Sequence, residues 1–386
     1  MRRRAALGIH RERRHVFALI APRRGSGAEE SFRAFPNASP VLRRFIVLVA
    51  ASVALASAAL PARADDTLTI IGGASQAGFF DVLDHVAQLG GFYKAEHLDV
   101  EKSYTSPPIA AQLVASGKAD IYSAAVESAW SGYQHGIRLQ FFFSRDPRFS
   151  MVLGVLADSP IKTLADFKGA TLGTTTAGGP TEGAAASMLA GAGLQRGDYS
   201  FLPIGVGAAA LSAMLNKRVD GTAFPNVELG LDEVNSGVKF RIFEHPILNT
   251  IGDAGFAATP ATIAAKSEQL QRFCRALVKA AIVIHVNPRY AARLFLQGAG
   301  VKITPDALDK EVRVLALMHD ELPGGDPLDK RIGLMPAHDM AVLIRFFAER
   351  GLLPAIPTEE VVTDRFIAYA NDFDHRAFIA QAKRMR

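Results

Sequence analysis

Cysteine is almost absent from this sequence, which contains one, Cys274, among 386 residues. A single cysteine excludes an internal disulfide, and the apolar helical spacing around it predicts a buried thiol on a packed helix. The histidines form no pair at metal-ligand spacing, so we predict neither a metal site nor a cofactor. Residues 171–181 are rich in threonine and glycine but contain no lysine, which excludes a Walker-type phosphate loop.

Excess basic charge is confined to the first 64 residues. The whole chain has 43 basic and 38 acidic residues, a formal net charge of +5. Residues 1–64 hold 12 arginines and 3 acids, which leaves the remainder with a net charge of −4. The basic character therefore belongs to a leader, and we expect no nucleic-acid partner.

The leader contains an apolar run that is short for a membrane span. This run covers residues 45–60, whereas a spanning helix needs about 20 residues. Two arginines precede it, and small residues at positions −3 and −1 predict a cut between Ala64 and Asp65. We therefore predict a cleaved signal peptide within residues 1–64 and a periplasmic protein. The residue directly after the cut is an aspartate and not a cysteine, so a lipid anchor is not expected.

Short apolar stretches alternate with helical ones from Asp65 to about Glu244, which predicts an α/β fold with largely parallel sheets. The predicted strands are 68–71, 98–104, 119–123, 139–144, 151–157, 171–175, 201–204, 221–224 and 240–243. Beyond Ala258 the pattern is helical, with helices predicted at 267–287, 288–297, 305–322, 336–350 and 363–383. Such a tail is expected to pack on the first part of the fold.

Two segments one hundred residues apart follow the same plan. They read SPPIAAQLVASGKAD, ending at Asp120, and VGAAALSAMLNKRVD, ending at Asp220. Each has a loop, an apolar helix, a basic residue and an aspartate before a strand. A repeat of this length predicts paired lobes and not a solenoid. No Gly/Ser/Pro-rich linker follows residue 65, so we expect the lobes to be joined by crossing strands near 142–145 and 255–258.

Three stretches carry a family resemblance through their order along the chain. They are LDHVAQLGGFYKAEHLDVEKSY from Leu83, QLVASGKADIYSAAVESAW from Gln112 and SPIKTLADFKGATLGTTTAGGPTEG from Ser159. Over residues 67–300 the chain resembles the periplasmic substrate-binding proteins of nitrate, sulfonate and taurine type ABC transporters, within the superfamily that includes binders of thiamine pyrimidine precursors.

The resemblance implies a two-lobed periplasmic-binding-protein fold of type II, with a ligand cleft between the lobes and the helical tail packed on lobe 1. Lobe 1 is expected to comprise residues 65–145 and 256–386, and lobe 2 residues 146–255. The implied function is the capture of a small solute and its delivery to an ABC permease with its ATPase in the inner membrane.

Ligands in open α/β sheets bind beyond the carboxyl ends of the strands. Applied to the predicted strands, this rule gives candidate ligand-binding residues from both lobes. They are Ser75, Gln76, Ser106, Pro107, Ala125, Glu127, Thr174, Thr175, Thr176, Ala177, Pro180, Thr181 and Asn226. The first turn of the helix that begins near Thr181 is expected to aim its free N–H groups into the cleft.

Each candidate also has a purely structural explanation. Ser106 and Pro107 suit a helix start, and the 174–181 loop suits any tight turn. A carboxylate at Glu127 is stabilised by its place in a first helical turn. Arg145 is expected either to pair with Asp146 or to contact the ligand.

Two other classes of function remain open from the sequence. One is a ligand-sensing module for a membrane receptor. The other is an enzyme on the same fold, which needs a cysteine nucleophile near a base, whereas Cys274 is predicted far from every strand end. The candidate loops contain few basic residues, which favours a neutral, zwitterionic or amine-bearing solute over a bare inorganic anion.

Overall fold

A computed structural model describes residues 65–74, 78, 81–148, 150–175, 177, 180–245, 248–349, 351 and 353–386. The leader, its apolar run and the predicted cleavage site lie outside these residues, so they stay predictions. The chain from Ala64 to Arg386 forms one compact unit. Within the described residues no helix is both long enough and apolar enough to cross a bilayer.

The first sheet, sheet A, has five strands: β1 (Asp66–Gly73), β2 (Leu98–Thr105), β3 (Ile121–Ala125), β4 (Gln140–Asp146) and β10 (Ala254–Ala258). Their order is β2-β1-β3-β10-β4, and β10 runs antiparallel to both of its neighbours. The apolar run Phe141 to Phe143 in β4 is fully buried because helices and chain cover both faces of the sheet.

The second sheet, sheet B, also has five strands: β5 (Met151–Leu156), β6 (Thr171–Thr174), β7 (Ser200–Pro203), β8 (Gly221–Pro225) and β9 (Phe240–Phe243). Their order is β7-β6-β8-β5-β9, with β5 antiparallel to β8 and β9. The two sheets therefore share one topology, four strands in one direction and one reversed. This confirms the predicted α/β class with largely parallel sheets.

The two aspartates of the sequence repeat have the same structural role. The Asp120 carboxylate accepts a hydrogen bond from the Thr69 N–H at 3.0 Å, and the Asp220 carboxylate accepts one from the Thr171 N–H at 2.8 Å. In sheet A this hydrogen bond joins the residue before β3 to β1, and in sheet B it joins the residue before β8 to β6. The predicted repeat is therefore present in the structure.

Among the described residues, seven α-helices lie between the strands: α1 (Val82–Leu89), α2 (Phe92–Ala95), α3 (Pro107–Ala115), α4 (Val126–Trp130), α5 (Pro180–Gly191), α6 (Ala208–Leu215) and α7 (Asn226–Ser236). After β10 follow α8 (Pro260–Ala265), α9 (Ser267–Val286), α10 (Pro288–Gly298), α11 (Pro305–Leu317), α12 (Ala337–Glu349), α13 (Thr358–Val361), α14 (Ile367–Ala370) and α15 (His375–Ala382). Pro260, Pro288 and Pro305 each occupy a first helical position, where a missing N–H costs no hydrogen bond.

The C-terminal helices share a hydrophobic core with sheet A, as expected for a tail packed on that part of the fold. The centre of this core is α9, whose Phe273 and Cys274 are fully buried together with Leu68 and Ile70 of β1. The Phe273 ring stacks on Tyr93 with their centroids 5.3 Å apart. The predicted buried thiol is confirmed, and burial raises the pKa of Cys274.

Two predicted helices and both predicted crossings are wrong in detail. The helix expected over 305–322 ends at Leu317, and the helix expected over 363–383 is two short helices, α14 and α15. Asn371 ends the first by donating from its side chain to the Ile367 carbonyl at 2.9 Å, and Asp374 caps the second by accepting from the Ala377 N–H at 3.0 Å.

Residues 142–145 and 255–258 lie inside β4 and β10 and are not crossings. The chain leaves sheet A after β4, which ends at Asp146, and returns to it before β10, which begins at Ala254. Asp146, Ala254 and Gly255, which were assigned to lobe 2, belong to strands of sheet A.

Candidate functional site

A cavity of about 360 Å³ lies where the strand ends of the two sheets face each other. Sheet A contributes residues from the carboxyl ends of β1, β2, β3 and β4, and sheet B contributes from the ends of β6 and β8. The reversed strands β5 and β10 contribute from their amino ends, because an antiparallel strand begins at the edge where its neighbours finish. We call this cavity the cleft.

Glycine in β1 allows the wall of the cleft to form. A Cβ atom on Gly73 would lie 2.6 Å from the Ala124 Cβ and 3.2 Å from the Pro107 Cα. The absence of a side chain therefore lets the start of α3 and the end of β3 approach β1 closely. Pro107 and Ala124 line the cleft as a result.

Threonine hydroxyls line the sheet B side of the cleft. The Thr181 Oγ1 lies 3.3 Å from the Thr175 backbone N–H, which donates to it, and 3.3 Å from the Thr175 Oγ1. Thr174 is fully buried, and its hydroxyl donates to Glu182 at 3.4 Å. The loop after β6 is thus held to the first turn of α5 by side-chain hydrogen bonds, and it presents Thr175 and Thr181 to the cleft.

Ionised pairs occupy the sheet A side of the cleft. The guanidinium of Arg145 donates to the Asp146 carboxylate at 3.2 and 3.3 Å, and to the Ser123 hydroxyl at 3.4 Å. Asp81 accepts from Lys102 at 2.5 Å and from the Gly78 N–H at 2.8 Å. Arg145, Asp146 and Asp81 all line the cleft and are each less than a tenth exposed.

Two further carboxyls line the cleft, those of Glu127 and Asp253. Burial raises the pKa of Glu127 to about 7. Burial also raises the pKa of Asp253, and the nearby Glu127 and Asp146 carboxylates raise it further. Burial raises the pKa of Asp146 despite Arg145, whereas for Asp81 the cations Lys102 and Arg145 outweigh burial and lower the pKa.

Five of the predicted site residues come together in the cleft lining: Pro107, Ala125, Glu127, Thr175 and Thr181. Ser106 precedes Pro107 as the N-cap of α3 without a side-chain capping bond and is not part of the lining. Thr174 is turned into the protein, Ala177 is exposed, and Pro180 opens α5. Ser75, Gln76 and Thr176 lie outside the described residues. Ligand binding by the whole set stays a prediction.

Asn226 is not part of the cleft lining, although Pro225 before it is. It is the first residue of α7 and lines a separate cavity of about 200 Å³ with Arg148 and Glu321. A wider cavity of about 590 Å³ is lined by the end of β4, residues 147–148 and the 319–336 segment, with no residue of sheet B. Of these three cavities in the described residues, the cleft is the one that the strand ends of both sheets line.

Asp253 was missed by the sequence analysis. The rule that ligands bind after strands directed attention to residues that follow a strand, whereas Asp253 precedes one. Its position at the same edge depends on β10 being reversed, and a strand's direction is set by its long-range partners. An acidic residue immediately before an apolar run, in GDAGFAA, is the one local signal that marked it.

The chain contains no described group of three or more His, Cys, Asp or Glu side chains placed to hold a metal. Cys274 is in the core around α9 and does not line the cleft. A cysteine-dependent reaction of the kind weighed from the sequence would require that thiol at the strand ends.

Several solved structures share this fold. The alkanesulfonate-binding protein SsuA of Xanthomonas axonopodis pv. citri, bound to MOPS, is 17% identical with a TM-score of 0.56, covering 77% of this chain and 98% of that one. SsuA of Escherichia coli, an aliphatic sulphonate-binding protein, is 18% identical with a TM-score of 0.57, covering 77% and 92%. The nitrate-binding protein NrtA of Synechocystis PCC 6803 is 13% identical with a TM-score of 0.55, covering 83% and 89%.

Two sheets of one topology that face each other across a cleft define the two-lobed α/β fold of periplasmic binding proteins. No curated protein has a significant sequence match to this chain. A family model described as NMT1/THI5 like matches residues 83–291, more than half of the chain. The protein belongs to the NMT1/THI5-like family, which agrees with the resemblance found in the sequence.

Proposed function

We propose that this protein is the solute-binding component of an ABC importer. It is exported to the periplasm through its cleaved leader, captures a small organic solute in the cleft, and delivers it to a permease in the inner membrane that works with an ATPase. In this proposal the lobes are those expected from the sequence, residues 65–145 with 256–386 and residues 146–255, except that Asp146, Ala254 and Gly255 go with the sheet A lobe. The two lobes close on the solute about the crossing segments.

One observation carries the proposal. The cleft of about 360 Å³ is lined from the strand ends of both sheets, so a bound solute touches both halves of the molecule at once. Its volume is at the lower end of the roughly 300 to 1,000 Å³ typical of small-molecule sites. A ligand that contacts both halves favours the closed arrangement, because its differential affinity for the two states is what shifts their populations.

The candidate contacts follow from the lining. Pro107, Ala125 and Glu127 would meet the solute from sheet A, and Thr175 and Thr181 from sheet B. The resemblance suggests sulfonates, taurine, nitrate or pyrimidines as candidate solutes. A ligand-sensing module for a membrane receptor would use the same cleft and differs only in the membrane complex that it contacts.

A thermal-shift screen of the purified protein tests the proposal. The panel contains sulfonates, taurine, nitrate, amidines and pyrimidines. A solute that binds only the folded protein raises its stability by about 2.7 kcal/mol at 100 times the dissociation constant. We expect at least one class to raise the melting temperature in a concentration-dependent manner, and a panel without any such shift would contradict solute capture.

Thr181→Val tests whether the solute that is found occupies the cleft. Loss of the hydroxyl should weaken binding by roughly 1 to 3 kcal/mol, since a buried partner group is left unpaired. Thr171→Val is the matched control, because Thr171 is at the opposite end of β6 and its hydroxyl pairs with Ser200 at 2.9 Å near the surface. If Thr181→Val binds the solute as tightly as Thr171→Val does, the threonine side of the cleft makes no contact with the solute.

A further inference from the structure

Two carboxyl groups meet at one part of the cleft wall. Glu127 is in the first turn of α4, directly after β3, and Asp253 directly precedes β10. The two strands pair antiparallel with Ala125 opposite Ala254, and the Val126 N–H donates to the Asp253 carbonyl at 2.7 Å. This pairing places the two acids next to each other, and both line the cleft.

Neither acid forms a salt bridge in the part of the chain that the structure describes. Arg145 is close enough to lower the pKa of Asp253, but its guanidinium is bonded to Asp146. Asp253 is only 6% exposed, and no described side chain donates a hydrogen bond to its carboxylate. The Glu127 Oε2 atom is buried and has no hydrogen-bond partner. A few residues between 74 and 248 lie outside the described chain. None of them is a lysine, an arginine or a histidine.

The other charges around the cleft already have opposite charges beside them. Arg145 is held by both oxygens of Asp146, and Lys102 lies between Asp81 and Asp84. The cleft lining therefore has four carboxyls and one guanidinium. An anionic solute entering it would approach two acids that form no salt bridge, while the one guanidinium is already bonded to Asp146.

We infer that the solute carries a positively charged nitrogen, an ammonium or amidinium group, which Glu127 and Asp253 bind together. This inference rests on the proposed function and names the class of its substrate. Such a group supplies a positive charge that can pair with both acids, and its N–H groups can donate to their carboxylate oxygens, of which the Glu127 Oε2 atom has no hydrogen-bond partner. An amidinium offers two parallel N–H groups to one carboxylate, whereas an ammonium offers three donors from one point.

Affinity should depend on pH in a direction that identifies this mode of binding. Protons compete with a cationic solute for the pair, so binding should weaken as the pH falls below about 7, where Glu127 becomes protonated. A neutral solute held by the protonated carboxyls would show the opposite dependence. The other charged or titratable groups that face the pair are Tyr122 on β3, Arg145 and Asp146 on β4, and Asp81 before α1.

The test is calorimetric titration of the purified protein with solutes sorted by charge. The panel includes the matched trio benzamidine, benzamide and benzenesulfonate, and the pair putrescine and 1,4-butanediol, which differ in their ammonium groups. We expect binding by cationic solutes, weakened roughly 10- to 100-fold in Glu127→Gln and in Asp253→Asn. Glu311→Gln is the control, since burial also raises the pKa of Glu311 to about 7 and one of its oxygens is unpartnered, but it lies on α11 outside the cleft.

Each outcome has a distinct meaning. The inference is supported if cationic solutes bind the wild type, lose affinity in both cleft variants and keep it in Glu311→Gln. Their binding must also weaken at pH 5.5. Hits confined to neutral or anionic solutes overturn it and leave the proposed solute capture standing. Cationic hits that bind equally well to wild type and both cleft variants also overturn it. No binding by any charge class overturns the proposed function itself.

Discussion

Replacing Glu127 by glutamine should stabilise the ligand-free protein, and only at high pH. Burial raises the pKa of this carboxyl from its ordinary value of 4.5 to about 7. A raised carboxyl pKa means that the folded protein disfavours the ionised form, so ionisation lowers the stability of the fold. This loss of stability is absent below the pKa of the unfolded state, grows between the two pKa values and is complete above the pKa of the folded state. Glutamine has no charge and removes this cost.

The size of the effect follows from the shift. A change from 4.5 to about 7, at about 1.4 kcal/mol per pKa unit, gives an upper limit of about 3.5 kcal/mol at pH 8.5. Water in the cleft reduces this value, because part of the Glu127 side chain is exposed there. We therefore expect Glu127→Gln to gain about 2 kcal/mol of unfolding free energy relative to wild type between pH 5 and pH 8.5.

Urea unfolding of the ligand-free protein at the two pH values measures this gain. Groups that do not interact with Glu127 cancel in the comparison with wild type. Asp253 adds to the gain at high pH, because the Glu127 charge that raises its pKa is removed. Glu233→Gln is the control of opposite sign, because the Glu233 carboxylate accepts from Lys239 and from the Phe240 N–H and its pKa is lowered. A Glu127→Gln protein that is less stable at pH 8.5, or that gains equally at both pH values, would refute the reasoning.

Three further predictions concern the framework around the cleft. Gly73→Ala should cost about 1 to 3 kcal/mol in urea unfolding, because its Cβ would lie 2.6 Å from that of Ala124, and an unchanged midpoint would contradict the close approach. Asp220→Ala should cost about 1 kcal/mol by removing the 2.8 Å bond from the Thr171 N–H, and unaltered stability would show that the contact contributes nothing. Cys274 should react with a thiol reagent only as the protein unfolds, since it is fully buried; immediate labelling in native buffer would contradict its position.

The order of strands and helices could be predicted because its signals are local. Short apolar runs bounded by turns predicted nine strands that the structure contains within about two residues of their ends. The repeat ending at Asp120 and Asp220 predicted the shared topology, since each aspartate bonds to a neighbouring strand of its own sheet. Helix starts at Pro288 and Pro305 were predicted from the special position of proline.

Features that depend on distant parts of the chain could not be predicted in the same way. Asp253 reaches the cleft only because β10 returns between β3 and β4 in the reversed direction. The break between α14 and α15 depends on Asn371, whose side chain also donates to the Ile332 carbonyl at 3.1 Å. The sequence shows an asparagine there, but not the loop that holds it.

The position of the bound solute is the most direct test of the account. A crystal structure of the protein grown with the tightest-binding solute of the panel would measure it. We predict that the solute lies in the cleft between the two sheets, in contact with Thr181 from one side and Ala125 from the other. A solute bound instead in the cavity lined by the 319–336 segment, or in contact with residues of one sheet only, would contradict the claim that the cleft is the binding site.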